Sequence, residues 1–427
     1  LEDRFYYGHY VAAGESTRRP SSGSDVGPGV DGSGNPTASV WPYPTDYTYP
    51  TPKNNWVDLP NGYSYNLQIS PPSSTTNTAV RIVATGKPTS GTSLSETRVI
   101  EAVVRPSSIA DFQMIANRDI SYGPTATTRG KLYAGRDEFG VNHSVNHDGT
   151  AYMDIYAEGS ITGSVTMISP AKKYTPSTSP SIRTVIKNPI DFNGFLASLS
   201  DIQRAAATNT PSLSLDYPSA TAVKIVFQPD GTFTVRTCST GNNDSASSSN
   251  IAATQPTCNG IPTPSTYTVP ANGAIYVSQS AIVSGTVKGR VTVASNANVV
   301  IGGNICYVSD PDCDGDDDTS PGTNVLGLIA RNWMYVANWA GVNLSWRAGT
   351  IAQEEQWRSF SCPSNGPNNT MTFTGSTATN KGGCMTQWDF RNYNYDSTLL
   401  YLPPPWFPVL EDAYTIVLFR ELQASGA

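Results

Sequence analysis

Gly285-Thr-Val-Lys-Gly-Arg-Val-Thr-Val-Ala-Ser-Asn-Ala-Asn-Val-Val-Ile-Gly-Gly303 sets short apolar runs between glycines and asparagines. Val291-Thr292-Val293 and Val299-Val300-Ile301 are too short for helices and rich in β-branched side chains, which suit a pleated strand. Gly285, Gly289, Asn296, Asn298, Gly302 and Gly303 stand between such runs, and Gly and Asn are the residues that turn a chain through φ > 0. The texture spreads outward from there. Ile275-Tyr276-Val277, Ile282-Val283 and Val287 precede the stretch, and Leu326-Gly327-Leu328-Ile329 and Met334-Tyr335-Val336 follow it. An earlier copy occupies Gly130 to Ala134 and Ala151 to Val165. A strand, a corner and another strand, repeated, is the pattern of a β-solenoid. The period is loose, so a β-sandwich of short strands is the alternative.

Composition agrees with a β-rich chain. Of 427 residues, 14% are Asp, Glu, Lys or Arg, while Gly supplies 36 and Pro 32 positions, which disfavours helical bundles and coiled coils. Hydrophobic residues make up 38% and aromatics 10%, too many for a disordered chain. The length fits one elongated domain or two ordinary ones. A net charge of −7 supplies no global field for polyanions, so any such binding has to be local. No apolar run reaches the length of a membrane span and no signal-peptide pattern is present. The chain opens at Leu1 without Met, so the expectation is a processed product or a chain whose front end has been removed.

Upstream of the repetitive region, Leu1 to Tyr10 has helical spacing at Leu1, Phe5 and Tyr6, and Ser16 to Asn55 reads as an irregular Pro-, Gly-, Ser- and Tyr-rich loop. Tyr63 to Ser70, Val80 to Gly86 and Arg98 to Arg105 alternate as strands of an antiparallel sheet. Its expected apolar face carries Tyr63, Tyr65, Leu67 and Ile69, then Val80, Ile82 and Ala84, then Val99 with Ile100, Ala102 and Val104. One helix is predicted over Asp191 to Asn209, where Phe192, Phe195, Leu196, Leu199 and Ile202 recur at i, i+3, i+4 and Asp191 or Asn188 offers a cap. Pro403-Pro404-Pro405-Trp406-Phe407-Pro408 should be rigid and extended. Ala413 to Leu422 alternates like a closing strand that could return to the first sheet.

The six cysteines fall as three neighbours along the chain: Cys238 with Cys258, Cys306 with Cys313, and Cys362 with Cys384. Six cysteines allow about 15 connectivities. Closure of local loops is the simplest and points to an oxidising compartment. Asp310-Pro311-Asp312-Cys313-Asp314-Gly315-Asp316-Asp317-Asp318 resembles the opening of a calcium loop, with Asp310, Asp312, Asp314, Asp316 and Asp318 as candidate ligands for a structural calcium ion. Pro321 stands where the bidentate Glu would be, and a solvated acidic loop is the plainer reading. His143 and His147, with Asp148 following, would suit a metal site on a helix, but Gly140 and Gly149 around them argue for a loop, so they are expected as exposed polar residues. No nucleophile elbow or phosphate loop occurs, and no carboxylate constellation nominates a polysaccharide-cleaving β-helix. Basic residues group as Arg129, Lys131 and Arg136, as Lys172 and Lys173, and as Lys288 and Arg290. With Tyr133, Tyr152, Tyr156 and Tyr174 among them they have the makings of a groove that tracks phosphates and stacks bases, although scattered charges more commonly serve solubility.

Tyr63-Ser-Tyr-Asn-Leu-Gln-Ile69, Val80-Arg-Ile-Val-Ala-Thr-Gly86 and Arg98-Val-Ile-Glu-Ala-Val-Val104 together resemble the headpiece of PilX-like minor type IV pilins. Gly285 to Gly303, Leu326 to Asn332, Tyr395 to Leu400 and the Pro403 to Pro408 ending are similar to the solenoid domain of large competence-associated minor pilins. The resemblance implies a mainly β protein: a small pilin-like antiparallel sheet with the remnant of an N-terminal helix, and a β-solenoid domain with one short helix. The implied divisions are 1–105 for the headpiece with its long loop, 106–408 for the solenoid, and 409–427 for a strand returning to the pilin sheet. It further implies a non-enzymatic, tip-located subunit of an extracellular cell-surface pilus that binds DNA for uptake in natural transformation. Other pilins are the implied partners, and a missing N-terminal helix anchors the intact protein in the membrane before assembly. A pilus-associated adhesin or structural cap that binds glycan or protein is the alternative.

Overall fold

A computed structural model describes residues 47–49, 57–60, 62–70, 80–89, 98–124, 126–184, 186, 190, 195–239, 250–260, 262, 265–310, 313, 324–360, 368–385, 388–396 and 398–422. The chain is mainly β and forms two compact units, one from residues 1–107 with 411–427 and the other from 108–410. The expected Leu1 to Tyr10 helix and most of the loop through Asn55 fall outside the described residues; within that expected loop Tyr47–Tyr49 is instead a strand paired antiparallel with Tyr63–Ser70.

The first unit holds an antiparallel sheet. Tyr63–Ser70 pairs with Val80–Pro88, which pairs with Arg98–Ser108, and Val409–Leu422 is hydrogen-bonded to Arg98–Ser108 at the edge. Ile69 faces Ile82 and Ile82 faces Ala102 across the ladder, and Ile69, Val80 and Ile82 are buried. In Arg98–Ser108, however, burial falls on Glu101, Val103 and Arg105, the parity opposite to the apolar set. Glu101 tolerates this because it is ion-paired with Arg81, and Arg105 because its guanidinium donates to the Pro106 carbonyl at 2.8 Å. Ile100 is left 37% exposed, and on Val409–Leu422 Ile416 is 64% and Phe419 67% exposed.

The second unit is built on parallel ladders. One of them runs through ten strands: Ser214–Leu215, Ala274–Val277, Arg290–Ser295, Val325–Ala330, Asn343–Ala352, Asn368–Thr379, Phe112–Ala116, Lys131–Ala134, Ile155–Ala157 and Lys173–Tyr174. A second follows Ala222–Phe227, Ser280–Val287, Val299–Tyr307, Met334–Val336, Trp357–Ser359 and Gly383–Cys384. Each strand pairs in parallel with one from the next turn of the coil, which is solenoid connectivity; a barrel would close strands side by side around an axis. Gly285 turns the chain at φ 104°, and a side chain there would strike the backbone of Phe227.

Spatial order differs from chain order. The chain enters the first ladder in its middle at Phe112, winds out to Tyr174, crosses back, and winds from Ser214 to Thr379, which lies against Ala116. The two windings therefore meet at a seam where Thr377 faces Met114 and Ala378 faces Ile115.

The crossing carries the helix Phe195–Ala207, shorter than predicted; the proposed caps lie outside the described residues. Two further α-helices of four residues, Asn250–Ala253 and Thr398–Tyr401, were not foreseen. Leu199, Ile202 and Ala206 pack in one core with Ile182, Ile190 and a register row that includes Tyr276, Ala294, Ile329, Ile351, Ile115 and Tyr133. Strand side chains alternate between faces. The neighbouring rows point to the other side, where Ala116, Leu132, Ala134, Ile155 and Ala157 fill a separate core with Ile120, Val145 and Ala151. Strands of this ladder are thus covered on both faces, and Val325–Ala330 is buried at every residue, which explains an uninterrupted apolar run.

The proline-rich run covers a further part of the same outer face. The Arg290 guanidinium donates to the Pro403 carbonyl at 3.0 Å, the Thr292 hydroxyl donates to Pro405, and the Trp406 indole donates to Asn272 at 2.7 Å. The run is not straight: Trp406 sits at φ 65° and the Phe407 N–H returns to the Pro404 carbonyl. Gly327 and Gly349 admit the Phe407 ring, which leaves no space for a Cβ on either. At the opposite end, Thr232–Ser239 pairs antiparallel with Ala222–Phe227, Thr257–Gly260 and Thr266–Thr268, covering a ladder edge that would otherwise be open.

Candidate functional site

The basic residues do not form one surface. Five ladder steps separate Val293, beside Arg290, from Leu132, beside Lys131. At about 4.8 Å per step that is about 24 Å. Arg129 is exposed and lies over the exposed Tyr152 ring at 5.0 Å, and Arg136 is exposed and donates to Asn142 at 2.8 Å. Lys172 and Lys288 are also exposed. Lys131 is half-buried with its ammonium 6.0 Å from the Phe112 ring. Lys173 pairs with Ile155, which pairs with Leu132, so it occupies the inward-facing row at the last strand of the ladder. It is half-buried there. Arg290 is taken by Pro403, and burial lowers its pKa.

The tyrosines expected to stack bases are mostly core. Tyr133, Tyr156 and Tyr174 share a register row, and all three are buried, with Tyr156 and Tyr174 stacked at 5.0 Å. Tyr133 donates to buried Glu158 at 2.8 Å, and Arg183 of the returning segment pairs with the same carboxylate. The sequence shows the alternation but not that a distant segment covers the outward row.

In the acidic run, Asp312, Asp314, Asp316 and Asp318 lie outside the described residues. Asp310 is fully buried and meets Arg347 at 2.9 Å. The same guanidinium binds both carboxylate oxygens of Asp396, at 2.9 and 3.0 Å, and lies 4.8 Å from the Tyr307 ring. Asp310 and Asp396 thus share this one guanidinium as countercharge. Among the described residues no group of three or more His, Cys, Asp or Glu converges as a metal site. Disulfides join Cys238 to Cys258 and Cys306 to Cys313, which suits an oxidising compartment. Cys384 is also disulfide-bonded, and Cys362 lies outside the described residues. No described helix is long and apolar enough to cross a membrane.

The two described histidines are not the exposed residues expected. Val145–His147 places Val145 and His147 inward and Asn146 outward. The buried His147 ring accepts from the Gly149 N–H at Nδ1, 3.0 Å, which leaves Nε2 to donate to the Thr128 hydroxyl at 3.1 Å. Burial holds its pKa below the ordinary histidine value. His143 lies between Asp119 and Asp137, at 3.2 and 3.3 Å, and Arg118 reaches Asp137 at 2.7 Å.

A concave site that sequence reading missed lies at the seam. A cavity of about 220 Å³ opens where Met114 and Asp119 to Tyr122 of the first winding meet Trp357, Cys384, Met385, Arg391 and Tyr393 of the last turns. Tyr122 and Tyr393 meet edge to face at 6.0 Å, and Trp357 lies 6.3 Å from Tyr393. The Arg391 guanidinium is fixed by donating to the Met385 carbonyl at 3.1 Å. Burial pushes the Tyr393 hydroxyl up to about 12. These residues come from segments more than 200 positions apart, and no local motif announces them. No family model matches the chain, and neither a curated protein nor a solved structure matches it.

Proposed function

We propose that this chain is a non-enzymatic minor pilin of a type IV pilus, located at the filament tip at the cell surface, whose solenoid receives extracellular DNA during natural transformation. What supports the filament part is the likeness of the small sheet to a pilin headpiece, together with its exposed large apolar side chains Ile100, Ile416 and Phe419; the last two, three residues apart on one strand, point to opposite faces. In the pilins that the sequence resembles, this kind of sheet packs on a long amphipathic helix, and side chains such as these are the ones such a helix would cover. Charged residues at Ile416 and Phe419 should exclude the protein from pili; filaments labelled as densely as with the unaltered chain would overturn the assignment.

For DNA, the side chains in a position to act are the exposed Arg129, Arg136, Lys172 and Lys288. With a net charge of −7, contact is expected to be weak, independent of sequence and steeply salt-dependent. Fluorescence anisotropy with single- and double-stranded DNA at low and physiological salt tests this. Binding lost on replacing these four residues with Glu supports a DNA receptor; no binding even at low salt leaves a structural or adhesive tip protein.

A further inference from the structure

We infer that the seam cavity is a binding site for one neutral sugar ring, a hexopyranose at the end of a glycan. The site is separate from the exposed basic residues invoked for DNA. Its size is the first constraint. At about 220 Å³ it falls below the roughly 300–1,000 Å³ of pockets that hold drug-sized ligands, so it takes one ring and not an oligomer.

The lining is the second. The half-buried Tyr122 and Tyr393 contribute aromatic surface and the half-buried Met114 thioether surface, with Trp357 and Met385 buried behind them. Aromatic faces are electron-rich and attract the weakly positive C–H groups that a pyranose presents on its flatter side. Polar groups share the exposed lining about equally with apolar ones. Arg391 supplies donors, Asp119 acceptors, and the exposed Ser121 hydroxyl both. A sugar hydroxyl is donor and acceptor at once, and so matches a mixed set of this kind.

Charge is the third. Arg391 and Asp119 both line the cavity, so the site offers a cation and an anion together and no net attraction for a phosphate or a carboxylate. Both are held in place: Arg391 by the Met385 carbonyl, and Asp119 by the Ser144 N–H at 2.8 Å and by His143. Such anchoring lowers the ordering cost of binding a weak ligand.

Saturation-transfer NMR of the full chain with methyl glycosides of glucose, galactose and mannose, and with glucuronate and adenosine monophosphate as charged controls, tests the site. At least one neutral glycoside should receive saturation through its ring protons. Arg391→Ala should weaken its binding by at least about tenfold, and Ser121→Trp, a substitution at an exposed position on the cavity wall, should abolish it. Circular dichroism melting confirms that each variant folds, and if one fails the other carries the test. No signal with any neutral glycoside, a stronger signal with either charged control, or binding unchanged by both variants would each overturn the assignment. None of these outcomes depends on whether DNA binds.

Discussion

Replacing Arg347 with Met would leave the buried carboxylates of Asp310 and Asp396 without the guanidinium that lies between them. Breaking a buried ion pair from one side costs about 3–5 kcal/mol. The urea midpoint of Arg347→Met should fall accordingly, and a midpoint within error of the parent would show that the triad is not a stabilising unit. His147 gives a second test. Its folded pKa lies below the ordinary value of about 6.5, so folding favours the neutral ring. That contribution is complete above the unfolded pKa and is lost as pH falls through the folded one. Melting temperature should therefore decline as pH drops below about 6.5, with a shallower slope in His147→Gln; parallel slopes would argue against it. At this scale the pairs Cys238–Cys258 and Cys306–Cys313 were legible, because two cysteines flanking a polar loop close it most simply. The histidines were not, because a strand of three residues shows too little alternation to say which side faces inward.

The helix Phe195–Ala207 was legible from its i, i+3, i+4 spacing, and Ile202 shows what it holds together, being fully buried in the core it shares with the first ladder. Ile202→Ala should cost about 2–5 kcal/mol by loss of transfer energy and creation of a cavity; a cost under about 1 kcal/mol would mean that the helix rests loosely on the sheet. Short strands with Gly corners were equally readable. What covers them was not. Tyr133, Tyr156 and Tyr174 look like exposed aromatics in sequence, because the segment that buries them enters the chain only after Thr175. Gly327 sits in an apolar run that reads as a strand, and it and Gly349 do lie within strands, but nothing in the sequence shows that they serve the approach of Phe407. Gly349→Leu should displace that ring and alter the fluorescence of neighbouring Trp406, whereas an unchanged emission spectrum would place the proline run elsewhere.

For the molecule as a whole, the mainly β character was readable from composition and the solenoid from its punctuation, but not the order in which turns stack. Parallel ladders carry no register signal across remote segments, so nothing in Asn368–Thr379 identifies Phe112–Ala116 as its neighbour. The seam cavity was hidden for the same reason. Hydrogen exchange can check the arrangement: amides of Met114 to Ala116 should be protected as strongly as those of Val291 to Val293, since both strands are paired along both edges. Fast exchange confined to Met114 to Ala116 would mean that the windings part readily.

A ladder entered at its middle also constrains biosynthesis. Phe112–Ala116 leaves the ribosome with one future neighbour close behind it and the other roughly 260 residues away, a delay of roughly 10 to 50 s at ordinary translation rates. For that interval an apolar strand carries an unpaired edge, the condition under which chains associate wrongly. Assembly cannot proceed vectorially, and completion of the native stack waits until the last turns have been made. A circular permutant opened in the crossing and joined through the small sheet would be translated in spatial order, and should refold faster and aggregate less than the natural arrangement.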